Sequence, residues 1–330
     1  MKQFAIVTDS AANITDAVAE EHNIVVVPLR VVYEGNVLTP KQLDEKLEFF
    51  HLNGGRLPEV HSPSVEEFET FYQSLVDQGV TQILSLHMSA ALSHSFVHAQ
   101  EAAANICERM SNNFASSCDV NHGVAEFVVP SIESNDSNEI SSHALDIRIV
   151  DARTASIGQG VLCLEAEAEF NKGSAIDEVL ERVLAIRETA RVYLIPRELT
   201  RLGRSGWINR FTGMLSRLMN KRMILTFNKD GHLDFAFKGI DLRDTCAALA
   251  RMLADYSRET PLKYFKLQVF GARELKLLEK PLRSNEINAQ CLGIGTSSSV
   301  VSLYIGPGTV GVYCYPESLS TEAVNCLLHE

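Results

Sequence analysis

Hydrophobic residues follow two alternating periods along the first half of the chain. "FAIVTD" and "IVVVPLRVVY" are apolar runs of strand type, and the spacing of "NITDAVAEEHN" between them predicts a short helix. "TPKQLDEKLEFFHLNG" places Leu43, Leu47 and Phe50 at helical intervals. "SVEEFETFYQSLVDQG" predicts a further helix, with Ser64 as N-cap, Glu67 at the capping-box position and Gly79 at the end. "TQILSLHM" then reads as a strand and "SHSFVHAQEAAANICERM" as a helix, followed by the strand "IRIVDARTAS" and the helix "IGQGVLCLEAEAEFNKG", closed by Gly173. Strands alternating with helices predict parallel βαβ units, with functional loops at the carboxyl ends of the strands.

Between Ser111 and Asp146 the pattern lapses into Ser and Asn, with one stretch of strand character, "GVAEFVVPSI". This segment reads as an insertion, partly ordered or a mobile flap, and a solvated loop without function is the favoured expectation for it. From Gly173 the texture changes. The helix "AIDEVLERVLAIRETA" leads into "RVYLIPR", a basic helical segment and then the short strands "MILTFNKDGHLDFAFKG", "YFKLQVFGA" and "VVSLYIGPGTVGVYCY". "NKDG" between alternating runs is a hairpin signal. The expectation is α/β: an N-terminal three-layer α/β/α domain over residues 1–170 with a mainly parallel sheet, and a C-terminal α+β domain over 171–330 with a largely antiparallel one.

Length and charge narrow the classes. A chain of 330 residues exceeds what one core usually serves. A net charge of −12 counts against nucleic acid as a partner. The start "MKQFAIVTDS" is no signal peptide, and no apolar run approaches a membrane span. Seven scattered cysteines without a C-x-x-C pair fit reduced thiols in a cytoplasm. Against the overall charge, Arg187 to Arg222 holds nine basic and two acidic residues. Within it "NRFTGMLSRLMNKR" sets Phe211, Met214, Leu215, Leu218 and Met219 on one helical face, suited either to the chain's own core or to an acidic partner or membrane surface.

Several motifs fail on context. "GPGTVG" matches G-x-G-x-x-G, but "VGVYCY" continues as a strand where a helix must open, so it reads as a tight turn. "GRSGW" resembles a nucleophile elbow in a basic, helical setting and lacks its last glycine. His94 and His98 are spaced as metal ligands on a helix, without a third ligand at a neighbouring step.

The segments taken in order resemble the DegV proteins, which include the fatty-acid-binding subunits of bacterial fatty acid kinases. "IVTDSAANI" and "HNIVVVPLRVVYEG" are similar to the family's opening strand, T-D-S loop and PL strand; "SPSVEEF" to T-S-Q-P-S; "LSHSFVHA" to L-S-G-T-Y-x-x-A; "IVDARTASIGQG" to V-D-S-x-x-x-S-x-G-x-G; "LTRLGRSGWI" to L-x-x-G-G-R-I; and "IGPGTVGV" to the closing G-P-G loop. The resemblance implies a long-chain, palmitate-like fatty acid held between two domains, with no cofactor, no metal and no catalysis. It puts the carboxylate on Ser93 with the amides of His94 and Ser95, assisted by His61 or Ser62 and by Tyr304 or the Gly306–Gly308 loop. Burying a C16 chain contributes about 10 kcal/mol before ordering costs. Arg204, Arg210 and Arg222 are then partner-surface candidates, facing a kinase-type subunit or an anionic membrane. The chain departs from the family pattern at His94 for Gly, Trp207 for Arg and Tyr304 for His, and at Arg222-Met223 for Lys-Pro. Two other readings stay open: an enzyme acting on a small phosphorylated or acylated substrate with His94 or His61 as acid–base, and an interaction module without ligand.

Overall fold

The computed structural model describes residues 4–52, 57–111, 114–119, 122–130, 145–208, 222–269, 272–284 and 286–328. Its first sheet has the order β2-β1-β6-β9-β8-β7, from β1 (Phe4–Asp9), β2 (Ile24–Val27), β6 (Gln82–His87), β7 (Ala115–Asp119), β8 (Val124–Val129) and β9 (Leu145–Asp151). β2, β1, β6 and β9 pair in parallel, as the βαβ pattern requires, and β8 and β7 add on antiparallel. The second sheet, β12-β11-β10-β15-β13-β14, uses β10 (Arg191–Ile195), β11 (Arg222–Phe227), β12 (Leu233–Gly239), β13 (Leu262–Val269), β14 (Ala289–Thr296) and β15 (Thr309–Pro316). Only β13 and β14 are parallel in it. The expected pairing of a mainly parallel with a largely antiparallel sheet is present. The "NKDG" hairpin joins β11 to β12, with Gly231 at φ +77°.

Three expectations change. "IVVVPLRVVY" is two strands: Pro28 has no N–H for a ladder, so β2 ends before it and β3 (Arg30–Tyr33) joins β4 (Asn36–Leu38) and β5 (Glu59–His61) in a small antiparallel sheet. The front of "VVSLYIGPGTVGVYCY" is a helix, Ser299–Ile305, because the Ser298 hydroxyl caps Val301 N–H and Gly306, at φ +79°, lets the chain turn out of it. The insertion is not merely loop: β7 and β8 form a hairpin that lengthens the first sheet, while 131–144 lie outside the described residues. The amphipathic stretch with Arg210 lies outside them as well.

The apolar residues sort into layers. One face of the first sheet packs Ala5, Val7, Ile83 and Ile147 against the helices Val65–Asp77 and Ser95–Met110. The Ser64–Glu67 capping box opens the first of these. The outer face of the second sheet packs Tyr193, Ile224 and Val312 against the helices Leu242–Ser257 and Ala272–Leu282. Between the sheets, Ile6, Leu84, Val161, Val183, Val192, Leu225 and Tyr313 belong to one continuous core. The helix Ile157–Asn171 runs in this middle layer, which is why it is apolar almost all round. Its buried Glu165 is satisfied by Arg182 at 2.9 Å and the Thr321 N–H at 2.7 Å. The two units therefore meet through shared apolar side chains.

Candidate functional site

The carboxyl ends of β1 and β6 are tied together by a polar chain that sequence reasoning did not find. Tyr72 Oη donates to Ser85 Oγ at 2.8 Å, Ser85 Oγ lies 2.7 Å from His87 Nε2, and His87 Nδ1 lies 3.1 Å from Asp9 Oδ2. One assignment satisfies every member: tyrosine to serine, serine to the imidazole, imidazole N–H to the carboxylate. Asp9 further accepts from the N–H groups of Ala11 and Met88 and from Gln159 Nε2, each at 3.1 Å. The order Ser85–His87–Asp9 has the connectivity of a hydrolytic triad. All three side chains have no solvent exposure, and the phenol blocks the serine, so the array is a clamp on the strand ends. Burial pushes the Tyr72 phenol well above its ordinary value.

Beside the clamp the predicted serines converge. Ser62 follows β5, and Ser93 and Ser95 open the helix after β6. Ser62 Oγ and Ser93 Oγ are 2.9 Å apart, and Ser93 Oγ and Ser95 Oγ are 2.9 Å apart. The His94 N–H donates to Ser62 Oγ at 3.0 Å and the Ser95 N–H to Ser93 Oγ at 3.2 Å. Three hydroxyls joined by two internal bonds leave one O–H over. Ser95 is fully buried and Ser62 half-buried, so the spare proton belongs at Ser62, facing outwards. The two amides then act through the hydroxyls, polarising them towards an acceptor.

The other candidates stand apart. His61 is half-exposed and 3.8 Å from Glu59, and the exposed His94 stacks on His98 with centroids 5.9 Å apart. His98 Nδ1 lies 2.7 Å from the Pro63 carbonyl oxygen, and among the described residues no three metal-ligating side chains come together. Tyr304 stacks on Trp207, and burial pushes its phenol up to about 12. The N–H groups of Gly306 and Gly308 donate to the Ser302 and Val269 carbonyls, so both are already used within the fold. Arg222 Nη1 donates to the Arg197 carbonyl at 2.6 Å, and the side chains of Arg204 and Arg210 lie outside the described residues.

Two neighbouring cavities lie in this part of the fold, with Ser62, Ser93 and Ser95 outside the lining of both. A cleft of about 680 Å³ lies between the small sheet with the helix Pro40–Leu52 and the segment Thr296–Ser302. Val26, Leu29, Val31, Leu43 and Leu47 form its apolar wall, Ser10, Asn13 and Ser297 are among its polar points, and Asp16, Lys41 and Asp44 also stand on its lining. Because Arg30 pairs with His61, Leu29 of that wall stands beside Ser62, and Leu29 N–H is held by Ser10 Oγ at 3.0 Å. Behind the cleft, sharing Val269 and Ser297 with it, an apolar cavity of about 40 Å³ is lined by Ile157, Leu194, Trp207, Leu267 and Val301. Ser156 stands at the seam with φ +57° and ψ −131°, a conformation few side chains adopt. Its Oγ accepts from the Ser298 N–H and lies 3.2 Å from Ser297 Oγ, so the strained residue bridges the two units.

The comparisons with known proteins agree with this architecture. A family model described as "uncharacterised protein, DegV family" matches residues 3–317. A DegV domain-containing protein of Clostridium acetobutylicum is 22% identical, with 96% of this chain and 99% of that protein covered. The solved structure of a fatty-acid-binding DegV family protein from Thermus thermophilus superposes with a TM-score of 0.73 at 21% identity, covering 95% of this chain and 99% of the other. That of a stearic-acid-binding protein from Eubacterium ventriosum gives 0.72 at 16%, covering 96% and 99%. With a family model spanning nearly every residue and the same two-sheet fold in both structures, this chain belongs to the DegV family.

Proposed function

We propose that the protein binds a long-chain fatty acid between its two units without chemical change and presents it to a partner. The observation that carries this reading is the serine chain Ser62–Ser93–Ser95, which offers an outward hydroxyl proton at the edge of a cleft with an apolar wall. The Ser62 hydroxyl, polarised by Ser93 and backed by the amides of His94 and Ser95, holds the carboxylate; the helix start behind them favours negative charge. His61 and His94 stand at the rim. The alkyl chain lies along Val26, Leu29, Val31, Leu43 and Leu47 and reaches past Val269 towards Trp207. A cleft of about 680 Å³ is within the ordinary range for such ligands. Tyr304, Gly306 and Gly308 frame the deep end and do not donate to the head group.

Fatty acids bound by the Thermus and Eubacterium proteins support the ligand class. The division near residue 170, a cytoplasmic setting and a kinase-type or membrane acceptor met by the basic stretch Arg187–Arg222 belong to the same reading. An acid–base enzyme is less favoured, since among the described residues neither the His61 nor the His94 ring bonds to a hydroxyl of the cluster. The test is titration of delipidated protein with palmitate and with hexadecanol. Palmitate is expected to bind at one site about tenfold or more tighter than the alcohol, since only the acid makes charge-assisted bonds. Failure to bind palmitate, or equal affinity for the alcohol, overturns the reading.

A further inference from the structure

A third cavity, of about 320 Å³, shares Val192, Phe227 and Tyr313 with the small apolar cavity and has the opposite character to the acyl cleft. Arg153, Arg187, Arg191 and Lys229 stand around it, with Glu188 as the one acidic side chain in its lining. The cations come from three places in the fold: the loop after β9, the end of the helix Ile176–Thr189 with the start of β10, and the tip of the β11–β12 hairpin. That hairpin docks on the first unit through Ser89 Oγ, which donates to the Gly231 carbonyl at 2.8 Å.

Four cations and one carboxylate stand on the lining. Arg187 Nη2 and Arg153 Nη1 converge on one oxygen, Glu188 Oε1, at 2.9 and 3.3 Å, and the Glu188 side chain is 52% exposed. Asp151, the nearest other carboxylate, spends its Oδ1 on the N–H groups of Ala90 and Arg153. Burial and the neighbouring Arg153 lower the Arg187 guanidinium from its ordinary value, and Glu188 and Asp151 offset this only in part. Three buried polar atoms on the lining lack partners: Arg187 Nε, Thr154 Oγ1 and Tyr313 Oη. Each can donate, and buried donors left unmade cost about 1–3 kcal/mol apiece. The volume far exceeds one water.

We infer that this cavity is a binding site for a small oxyanion of the phosphate class, free or as the phosphate group of a small metabolite, separate from the acyl cleft. A tetrahedral oxyanion has several acceptor oxygens for converging donors and brings negative charge to a lining of four cations and one carboxylate. Lys229 and Arg191, both exposed, close the mouth.

The test is calorimetric titration of the whole protein with inorganic phosphate and with glycerol phosphate, at constant ionic strength in chloride. Saturable binding of either at one site is expected. Lys229→Ala, at an exposed position, is expected to weaken it about fivefold and Arg187→Lys about tenfold or more, the latter keeping the charge and losing the planar fork. Palmitate affinity of Lys229→Ala is expected to be unchanged. Absence of saturable binding to both ligands, or affinity that neither substitution alters, overturns the proposal.

Discussion

Trp207 and Tyr304 stack with ring centroids 4.4 Å apart and planes tilted by 33°. One ring follows the short helix Thr200–Arg204 and the other sits in the helix Ser299–Ile305, so the contact joins two segments about a hundred residues apart. The family pattern that this chain resembles has an arginine and a histidine at the two positions, where an aromatic pair stands here. A stacked pair of this kind contributes about 0.5–1.5 kcal/mol beyond its burial. Through it Tyr304 supports Trp207, which lines the apolar cavity.

Trp207 is the one tryptophan of the chain and lines the apolar cavity. Its emission is expected to be blue-shifted in the free protein and to change in intensity as palmitate is added, saturating at one equivalent. Emission indifferent to ligand would remove the chain from this cavity. Trp207→Ala is expected to destabilise the protein by about 3–5 kcal/mol in urea unfolding.

Ser93 links both neighbouring hydroxyls. Ser93→Ala removes the donor that orients the Ser62 hydroxyl and is expected to weaken palmitate binding about tenfold while leaving hexadecanol binding unchanged. An equal loss for both ligands would assign Ser93 a packing role instead.

Asp9 is the sole acceptor for the buried His87 Nδ1 and takes two backbone donors besides. Asp9→Ala strands these donors in the core and is expected to lower stability by about 3–5 kcal/mol, measured by urea denaturation. A loss under 1 kcal/mol would mean that water replaces the carboxylate.

Two glycines with positive φ separate strain from contact. A Cβ at Gly231 would overlap Ser89 Oγ at the docked hairpin, whereas one at Gly35 would meet nothing within 4 Å. Gly35→Ala carries only the left-handed penalty, about 1 kcal/mol. Gly231→Ala is expected to exceed it clearly in thermal unfolding and to lower phosphate affinity, because it shifts Lys229.

The cysteines report on packing. Burial pushes the thiols of Cys163 and Cys314 up to about 12 and those of Cys107, Cys246 and Cys326 up to about 11, while Cys118 and Cys291 are exposed. Since the thiolate is the reacting form, a thiol reagent at pH 8 is expected to modify Cys118 and Cys291 first and the rest on unfolding. Early reaction of Cys163 would contradict the middle layer.

The sequence is most legible where the determinants are local. The Ser64–Glu67 box and the turn at Gly231 work within a few residues, and both stand where spacing and turn chemistry put them. Ser62, Ser93 and Ser95 were nameable from motifs, although their mutual bonding comes from two loops brought together by the fold. Distant pairs leave no such trace. His87 and Asp9 are 78 positions apart, and the "TDS" triplet was the only hint at one end. The helix Ser299–Ile305 looks like a strand because "VVSLYI" is rich in β-branched residues, and only its capping serine argues otherwise. Ser156 is a serine where backbone geometry suits glycine, so composition conceals the strain. The basic cavity is assembled from three segments, of which Arg187 and Arg191 already stood out as local charge.

The β7–β8 hairpin bears on how copies of the chain behave towards each other. β7 ends the first sheet, and all five of its residues, "ASSCD", are exposed. Without the hairpin, the free rim would be β9, where Ile147 and Ile149 are fully covered and the ladder would be open to another molecule. Short, hydrophilic and carrying an aspartate, the added ribbon makes a poor template for strand exchange, and so works as a guard against aggregation at high concentration.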